Sequence, residues 1–146
     1  SDEVLESGAV RIMGLDVGDR RIGVALSDEL GLLATPFAVL KRSSLREDVQ
    51  RVVRLVAEQG VGTVVVGLPY SLSGELGPQA VKVKRFGEAL ANALPVPVIF
   101  WDERYSTVEA SRMLTAAGRR ARRQKPYIDA AAAAVMLQSY LDARRC

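Results

Sequence analysis

The chain has 146 residues, of which 49% are hydrophobic and 25% are charged, with a formal net charge of +3. This composition indicates one domain with a sizeable core and disfavours a disordered or fibrous class. The lack of histidine and the single cysteine, Cys146, exclude an internal disulfide, a Ser–His–Asp triad, Cys–His catalysis and a histidine-built zinc site.

The first nine residues, SDEVLESGA, are polar and lack an initiator Met. We expect residues 1–9 to be a disordered leader or a remnant of the expression vector, and residues 10–146 to form a single domain. The sequence has no apolar run long enough to cross a bilayer and no signal peptide, which makes the cytoplasm the expected location.

Three apolar runs follow, at 10–17, 20–27 and 32–40, separated by short segments that contain Gly and Asp. This spacing predicts strands joined as antiparallel hairpins. Pro36 cannot donate a backbone hydrogen bond to a neighbouring strand, so we expect it at a sheet edge or at the start of a strand.

Helices and strands then alternate. A capping-box pattern at Ser44 opens a helix predicted to stop at Gly60, and Pro78 suits the first turn of a second helix. The runs GTVVVGLP at 62–69 and VPVIFWDE at 96–103 predict strands buried on both faces. The predicted inner faces of the two helices comprise Leu45, Val49, Val52, Val53 and Val56, and Val83, Phe86, Leu90 and Ala93.

Two more helices are predicted in the last third of the chain. A second capping-box pattern at Ser106 predicts a helix through about Ala117, and Pro126 opens an alanine-rich last helix. The order of elements predicts an α/β fold: a mixed five-stranded sheet, in which three antiparallel meander strands precede βα units, flanked by helices.

Four acidic residues stand where these elements begin or end. Asp16 lies near the end of the first strand, and Asp129 lies in the first turn of the last helix. Asp102 and Glu103 end the last strand. Functional groups of parallel sheets gather beyond the carboxyl ends of the strands, and carboxylates held close together would repel one another and take up protons.

A divalent cation would remove that repulsion, because Mg²⁺ and Mn²⁺ prefer hard oxygen ligands. Two ions roughly 3.5–4 Å apart would activate water on one side of a phosphodiester and stabilise the leaving oxygen on the other. Gly14 and Gly18 flank Asp16 and would let a substrate backbone approach it closely. The pattern therefore predicts a metal centre that cuts nucleic acid.

Each acid also has a structural explanation. Asp16, at a strand end before Gly and Asp, is typical of a turn residue. Asp102 and Glu103 could form a surface ion pair with Arg104. Asp129 is favoured near a helix N-terminus by the macrodipole, whatever its function. The joint placement of the acids favours the metal centre over these separate explanations.

Four stretches, GLDVGDRRIGVALSD, VVVGLPYSLSGELG, FWDERYSTVEA and KPYIDAAAAAVMLQSYL, occur in this order and span nearly the whole chain after residue 10. Through them the sequence resembles the YqgF/RuvX family of Holliday junction resolvases with an RNase H-like fold. The resemblance implies a single RNase H-like nuclease domain over 10–146. The family is also linked to maturation of precursor 16S ribosomal RNA, so branched DNA and precursor ribosomal RNA are both candidate substrates.

The resemblance also implies roles for the acids. By position, Asp16 matches the family's first-strand acid, Glu103 its second acid and Asp129 its last-helix acid. These three are implied to be catalytic and to bind one or two Mg²⁺ or Mn²⁺ ions, with Asp102 as a further candidate ligand. Related resolvases carry an acid at the end of the fourth strand, where this chain has GLP. We therefore expect the second acid in the DER motif, and we favour Glu103 for its longer side chain.

Basic residues near the acids are candidates for contacts with nucleic-acid phosphates. The stretch GRRARRQK at 118–125 concentrates cations close to Asp129. The alternatives are an ordinary solvated charge run and ion pairs with neighbouring acids. The candidate contacts are Arg20, Arg21, Arg104, Arg119, Arg120, Arg122, Arg123 and Lys125.

Three functions compete on this sequence. The leading hypothesis is a metal-dependent endonuclease acting on structured nucleic acid, which could cut two strands symmetrically as a homodimer. The second is a non-catalytic RNA-binding ribosome-assembly factor in which the acids are structural. The third, an actin-like ATPase fragment suggested by GLDVG, needs two lobes, and 146 residues leave room for about one.

Overall fold

The computed structural model describes residues 10–69, 74–103 and 125–145, with the side chains of the last segment described from residue 128 onwards. Five strands form one mixed sheet in the order β3-β2-β1-β4-β5. Strands β1, β2 and β3 pair antiparallel, and β4 and β5 run parallel to β1. The predicted mixed sheet is confirmed. The strands are β1 (Arg11–Val17), β2 (Arg21–Ser27), β3 (Ala34–Lys41), β4 (Val61–Leu68) and β5 (Val98–Asp102).

Helices cover both faces of this sheet. In the described ranges they are α1 (Leu45–Gln59), α2 (Pro78–Ala93) and α3 (Lys125–Arg145). Helices α1 and α2 pack on one face, over a large core that includes Phe86, and α3 packs on the other face over a smaller core that includes Leu137. None of the described helices is both long enough and apolar enough to cross a membrane.

The start and end of α1 follow from its sequence. The Ser44 hydroxyl accepts a 3.1 Å hydrogen bond from the backbone N–H of Glu47, and Gly60 ends the helix in the left-handed region at φ 65°, where glycine is favoured because it has no Cβ. The Glu47 carboxylate bonds the Ser43 hydroxyl instead of the backbone N–H of Ser44. Only half of the predicted capping box therefore forms.

Three predictions of burial are wrong, and each has its own structural reason. Leu45 is 39% exposed because it begins α1 at the rim of the core. Ala93 is exposed, and Leu94, one residue beyond α2, is buried in its place. Strand β5 is only half-buried because the sheet order puts it at an edge, whereas β4 is buried as predicted.

Strand β3 forms the opposite edge, which confirms the prediction for Pro36. Its pairing with β2 shifts register between Val24 and Ala25, where Phe37 has no partner.

Three predicted segments lie outside the described residues. They are the leader at 1–9, the helix at 106–117 and the basic stretch at 118–124.

Candidate active site

Asp16 belongs to the body of β1. Its neighbours Leu15 and Val17 enter the core under α1 and α2, so the alternation of a strand turns Asp16 to the face covered by α3. It is partly buried and pairs with Gly23 of β2. The interpretation of Asp16 as a turn residue is therefore wrong.

Gly23 brings α3 against this part of the sheet. A Cβ at Gly23 would overlap the backbone carbonyl of Asp129, so the helix can approach here only because the strand carries a glycine. Since Gly23 is the pairing partner of Asp16, the contact places Asp129 beside Asp16. Asp129 is the fifth residue of α3, at the start of the second turn and not in the first turn as predicted. The macrodipole explanation loses force there, because that field falls off within the first turn.

Glu103 reaches the same place from the end of β5. Residue 67, opposite Trp101 in the parallel pairing of β4 and β5, is a glycine, and a Cβ there would lie only 2.5 Å from the Glu103 Oε2 atom. The Glu103 carboxyl therefore lies over the Gly67 backbone, where it hydrogen-bonds the Asp16 carboxyl. The acids of β1 and of the residue after β5 thus meet above the end of β4.

Asp102 occupies a different position from Glu103. It pairs with Leu68, whose side chain lies in the core under α1 and α2. The structure therefore brings Glu103, and not Asp102, to Asp16. The charge of Asp102 still contributes to raising the pKa of Glu103.

The acids strongly influence one another's protonation. Burial, followed by the negative charge of Asp16 and the hydrogen bond between the two groups, raises the pKa of Glu103 from 4.5 to about 8. Burial also raises the pKa of Asp16; its hydrogen bond with Glu103 lowers it in part, and the charge of Asp129 adds to the rise. At neutral pH, Glu103 therefore keeps its proton and donates a hydrogen bond to the Asp16 carboxylate.

The third acid leaves one oxygen without a hydrogen bond. Oδ2 of Asp129 is buried and has no hydrogen-bond partner among the described residues. The nearest cation is Arg21 of β2, with Nη1 at 3.6 Å from this oxygen. That distance is too long for a hydrogen bond, so Arg21 acts on Asp129 through its charge.

Gly14 and Gly18 do not serve the predicted purpose. A Cβ at Gly14 would lie 2.8 Å from the Leu137 Cβ, so this glycine admits α3 rather than a substrate. A Cβ at Gly18 would lie 3.0 Å from the carbonyl oxygen of Arg21, and the Gly18 N–H donates to that same oxygen at 2.8 Å. Gly18 is therefore part of the tight β1–β2 turn.

The donor set fits a hard divalent ion. Across the described ranges no three Asp, Glu, Cys or His side chains are already grouped as a metal site. A proton between Asp16 and Glu103 and the arginine near Asp129 supply the positive charge that the acids need. The buried, unbonded Oδ2 of Asp129 and the two paired carboxyls are oxygen donors of the kind that Mg²⁺ and Mn²⁺ prefer.

The predicted phosphate contacts are only partly described. Arg21 stands at the acids, whereas Arg20 is exposed in the β1–β2 turn, and its carbonyl accepts the backbone N–H of Arg42. The other predicted contacts lie outside the described side chains; they are Arg104, Arg119, Arg120, Arg122, Arg123 and Lys125.

Sequence reasoning missed Gly23 and Gly67, although a glycine inside a strand signals a close approach.

Comparison with known proteins identifies the family of this chain. A family model described as "RuvX: Holliday junction resolvase" matches residues 10–143. The chain belongs to the RuvX family. A relative from Desulforudis audaxviator, named "Putative pre-16S rRNA nuclease", is 47% identical over 136 residues, which cover 93% of this chain and 96% of the relative. A protein of the same name from Chloroflexus aggregans is 48% identical over 134 residues, covering 92% and 94%.

Solved structures of two resolvases share the fold of this RuvX-family chain. RuvC of T. thermophilus, solved in complex with a Holliday junction substrate, aligns with a TM-score of 0.62 at 19% identity over 93% of this chain and 96% of RuvC. The fowlpox virus Holliday junction resolvase aligns with a TM-score of 0.53 at 13% identity over 92% and 99%. The predicted RNase H-like fold class is confirmed.

Proposed function

We propose that this protein is a divalent-metal-dependent endonuclease that hydrolyses phosphodiesters in structured nucleic acid. The observation that carries the proposal is the hydrogen-bonded pair of Asp16 and Glu103 beside the unbonded Oδ2 of Asp129. Burying carboxyl groups near one another costs stability unless positive charge compensates them. Their convergence is explained by a cation that they bind.

Asp16, Glu103 and Asp129 are the residues that would hold Mg²⁺ or Mn²⁺. A bound ion supplies Lewis-acid polarisation of a phosphoryl oxygen and lowers the pKa of water. Before the ion can bind, Glu103 must lose the proton of its hydrogen bond to Asp16. The ion must also replace Arg21 as the positive charge beside Asp129. Arg21, 30% exposed on the neighbouring strand, is then available to hold a substrate phosphate.

The names of the family and of its relatives support two candidate substrates. Proteins at 47–48% identity bear the name of a pre-16S rRNA nuclease, and the family model is described as a Holliday junction resolvase. We therefore propose precursor 16S ribosomal RNA and four-way DNA junctions as the substrates to compare. On either substrate the protein would work in the bacterial cytoplasm, and symmetrical cutting of a junction would require a homodimer.

A cleavage assay with Mn²⁺ or Mg²⁺ tests the proposal on both substrates, with Asp16→Asn as the variant. We expect wild-type cleavage that depends on the ion, and loss of cleavage by at least about a hundredfold in Asp16→Asn, because several kcal/mol of transition-state stabilisation depend on the metal. Lys84→Gln, on the exposed side of α2, is the control. A wild-type protein that binds either substrate and cuts neither with any ion would instead support the non-catalytic RNA-binding factor.

A further inference from the structure

A cavity opens at the end of β1, on the face of the sheet opposite Asp16. It has a volume of about 260 Å³, and Val17, Phe86 and Gln79 form part of its lining. Gln79 stands in the first turn of α2, and its side-chain amide donates to the carbonyl of Val17 at 3.4 Å. The cavity therefore lies between the end of β1 and the positive end of a 16-residue helix.

One cation in this cavity is held rigidly. The Arg42 guanidinium donates from Nε to Asp48 at 2.7 Å and from Nη1 to the carbonyl of Gly18 at 2.6 Å, and it lies 5.6 Å from the centroid of the Phe86 ring. These contacts leave Nη2 and one Nη1 hydrogen for a ligand. An arginine held in this way loses little further freedom when it binds a phosphate.

Two more cations stand at the rim. Lys82 and Arg85, both on α2 and both exposed, line the cavity together with Asp19. The Lys82 Nζ atom lies 3.6 Å from Oδ1 of Asp19, whereas Arg85 makes no ion pair with any described residue. The lining carries three positive charges and one negative charge, and the Asp48 carboxylate that holds Arg42 is shared with Arg51. This balance of charge favours an anion.

The cavity and the acids share one short piece of backbone. Val17 lines the cavity, and Asp16 precedes it in β1, so their Cα atoms are about 3.8 Å apart with side chains on opposite faces. A chain of phosphates that crosses the carboxyl end of β1 would therefore meet the acids on one side and the cations on the other.

We propose that the cavity formed by Arg42, Lys82 and Arg85 binds a backbone phosphate of the nucleic-acid substrate, away from the phosphate that is cut. The inference rests on the proposed function and deepens it, because it gives the substrate a second fixed point across the end of β1. The open rim and exposed cations suit a phosphate that is part of a long strand, which has to enter and leave sideways.

The experiment measures the salt dependence of binding to a four-way DNA junction and to precursor 16S RNA, in EDTA so that no cleavage occurs. The variants are Arg85→Gln and the double variant Lys82→Gln/Arg85→Gln. The matched control is Lys84→Gln, which removes a charge from the same helix outside the cavity. A second arm titrates inorganic phosphate into the wild type and the double variant by calorimetry.

We expect each cavity charge removed to reduce the slope of log K against log salt concentration by about 1, with Lys84→Gln close to the wild type. Equal slopes in cavity variants and control would overturn the inference, as would phosphate binding that the double variant loses while its nucleic-acid slope stays unchanged. Expected slopes in a protein that never cuts, with any ion, would refute the nuclease and leave the cavity's role standing. No binding to either substrate would refute both.

Discussion

Nη1 of Arg21 lies 3.6 Å from Oδ2 of Asp129, and both side chains are about 30% exposed. The two groups attract each other without a hydrogen bond, because the distance is too long. In the metal-free protein this arginine supplies part of the positive charge that the acids need. The same charge must repel any cation that approaches Asp129, so Arg21 and a metal ion compete for one carboxylate.

Arg21→Gln should therefore bind Mn²⁺ more tightly than the wild type in the absence of nucleic acid. A partly exposed ion pair is worth up to about 1 kcal/mol, which corresponds to about fivefold in affinity. Isothermal titration of the metal-free protein with Mn²⁺ measures this, and Arg20→Gln, which removes the neighbouring exposed charge, is the control. An affinity equal to that of Arg20→Gln would contradict the competition.

The stability of the metal-free protein should fall as the pH rises from about 5 to about 8. Glu103 has a pKa of about 8 in the folded protein, against an ordinary value of 4.5. Between these values the folded state binds the proton and the unfolded state releases it. The contribution of protonated Glu103 to the free energy of unfolding is complete below the pKa of the unfolded state. It disappears as the pH rises through the pKa of the folded state.

Urea denaturation in EDTA at several pH values measures this decline. Glu103→Gln should remove most of it, because the amide cannot ionise, whereas Glu88→Gln on the exposed side of α2 should keep it. A profile of Glu103→Gln that parallels the wild type would show that Glu103 does not hold the proton. Addition of Mn²⁺ should stabilise the wild type most at the alkaline end.

Gly67→Ala should cost activity far more than stability. The new Cβ would lie 2.5 Å from Oε2 and 2.9 Å from Cγ of Glu103, and the flexible acid would move aside more easily than the buried strand. A displacement of about 1 Å at a reacting centre costs on the order of a hundredfold in rate. Cleavage rates and thermal unfolding together test this, with Gly77→Ala, where a Cβ meets nothing within 4 Å, as the control.

Asp48→Asn should destabilise the fold by about 3 kcal/mol. The Asp48 side chain is fully buried and lies 2.7 Å from Arg42 and 2.6 Å from Arg51. Burial by itself would raise its pKa, but the hydrogen bonds from both arginines and from the Ser43 N–H outweigh burial and lower the pKa. The contribution of the Asp48 charge to the free energy of unfolding is therefore complete at neutral pH. It is lost as the pH falls through the pKa of Asp48 in the folded state.

Urea denaturation at neutral pH measures the effect of Asp48→Asn. Asp142→Asn provides the matched control, because Asp142 pairs with Arg145 at the same 2.6 Å but with about half of each side chain exposed. Such a pair contributes less than about 1 kcal/mol. Equal losses in the two variants would contradict the special role of the buried acid.

The sequence allowed the fold to be predicted because its periodicities are local. The β-branched run of β4, the cap at Ser44 and the edge position of Pro36 each reflect the physics of a few neighbouring residues. The burial of β5 could not be predicted in this way. Its apolar run looks like that of β4, and only the order of strands across the sheet makes β5 an edge.

The same limit explains the errors at the candidate site. That Asp16 and Glu103 form one hydrogen-bonded pair depends on the parallel pairing of β1, β4 and β5, which no short stretch encodes. The position of Gly14 near Asp16 in the sequence favours a contact with substrate, but Leu137 of α3 occupies the space beside this glycine. A glycine in a strand indicates a close neighbour without identifying it.

The acids that meet at the end of β1 are far apart along the chain, and the last of them is seated only when α3 docks on Gly23. A chain still under synthesis, with Asp129 inside the exit tunnel, lacks this group however complete its sheet has become. The complete set of acids therefore forms only after the sheet has folded and α3 has packed on it.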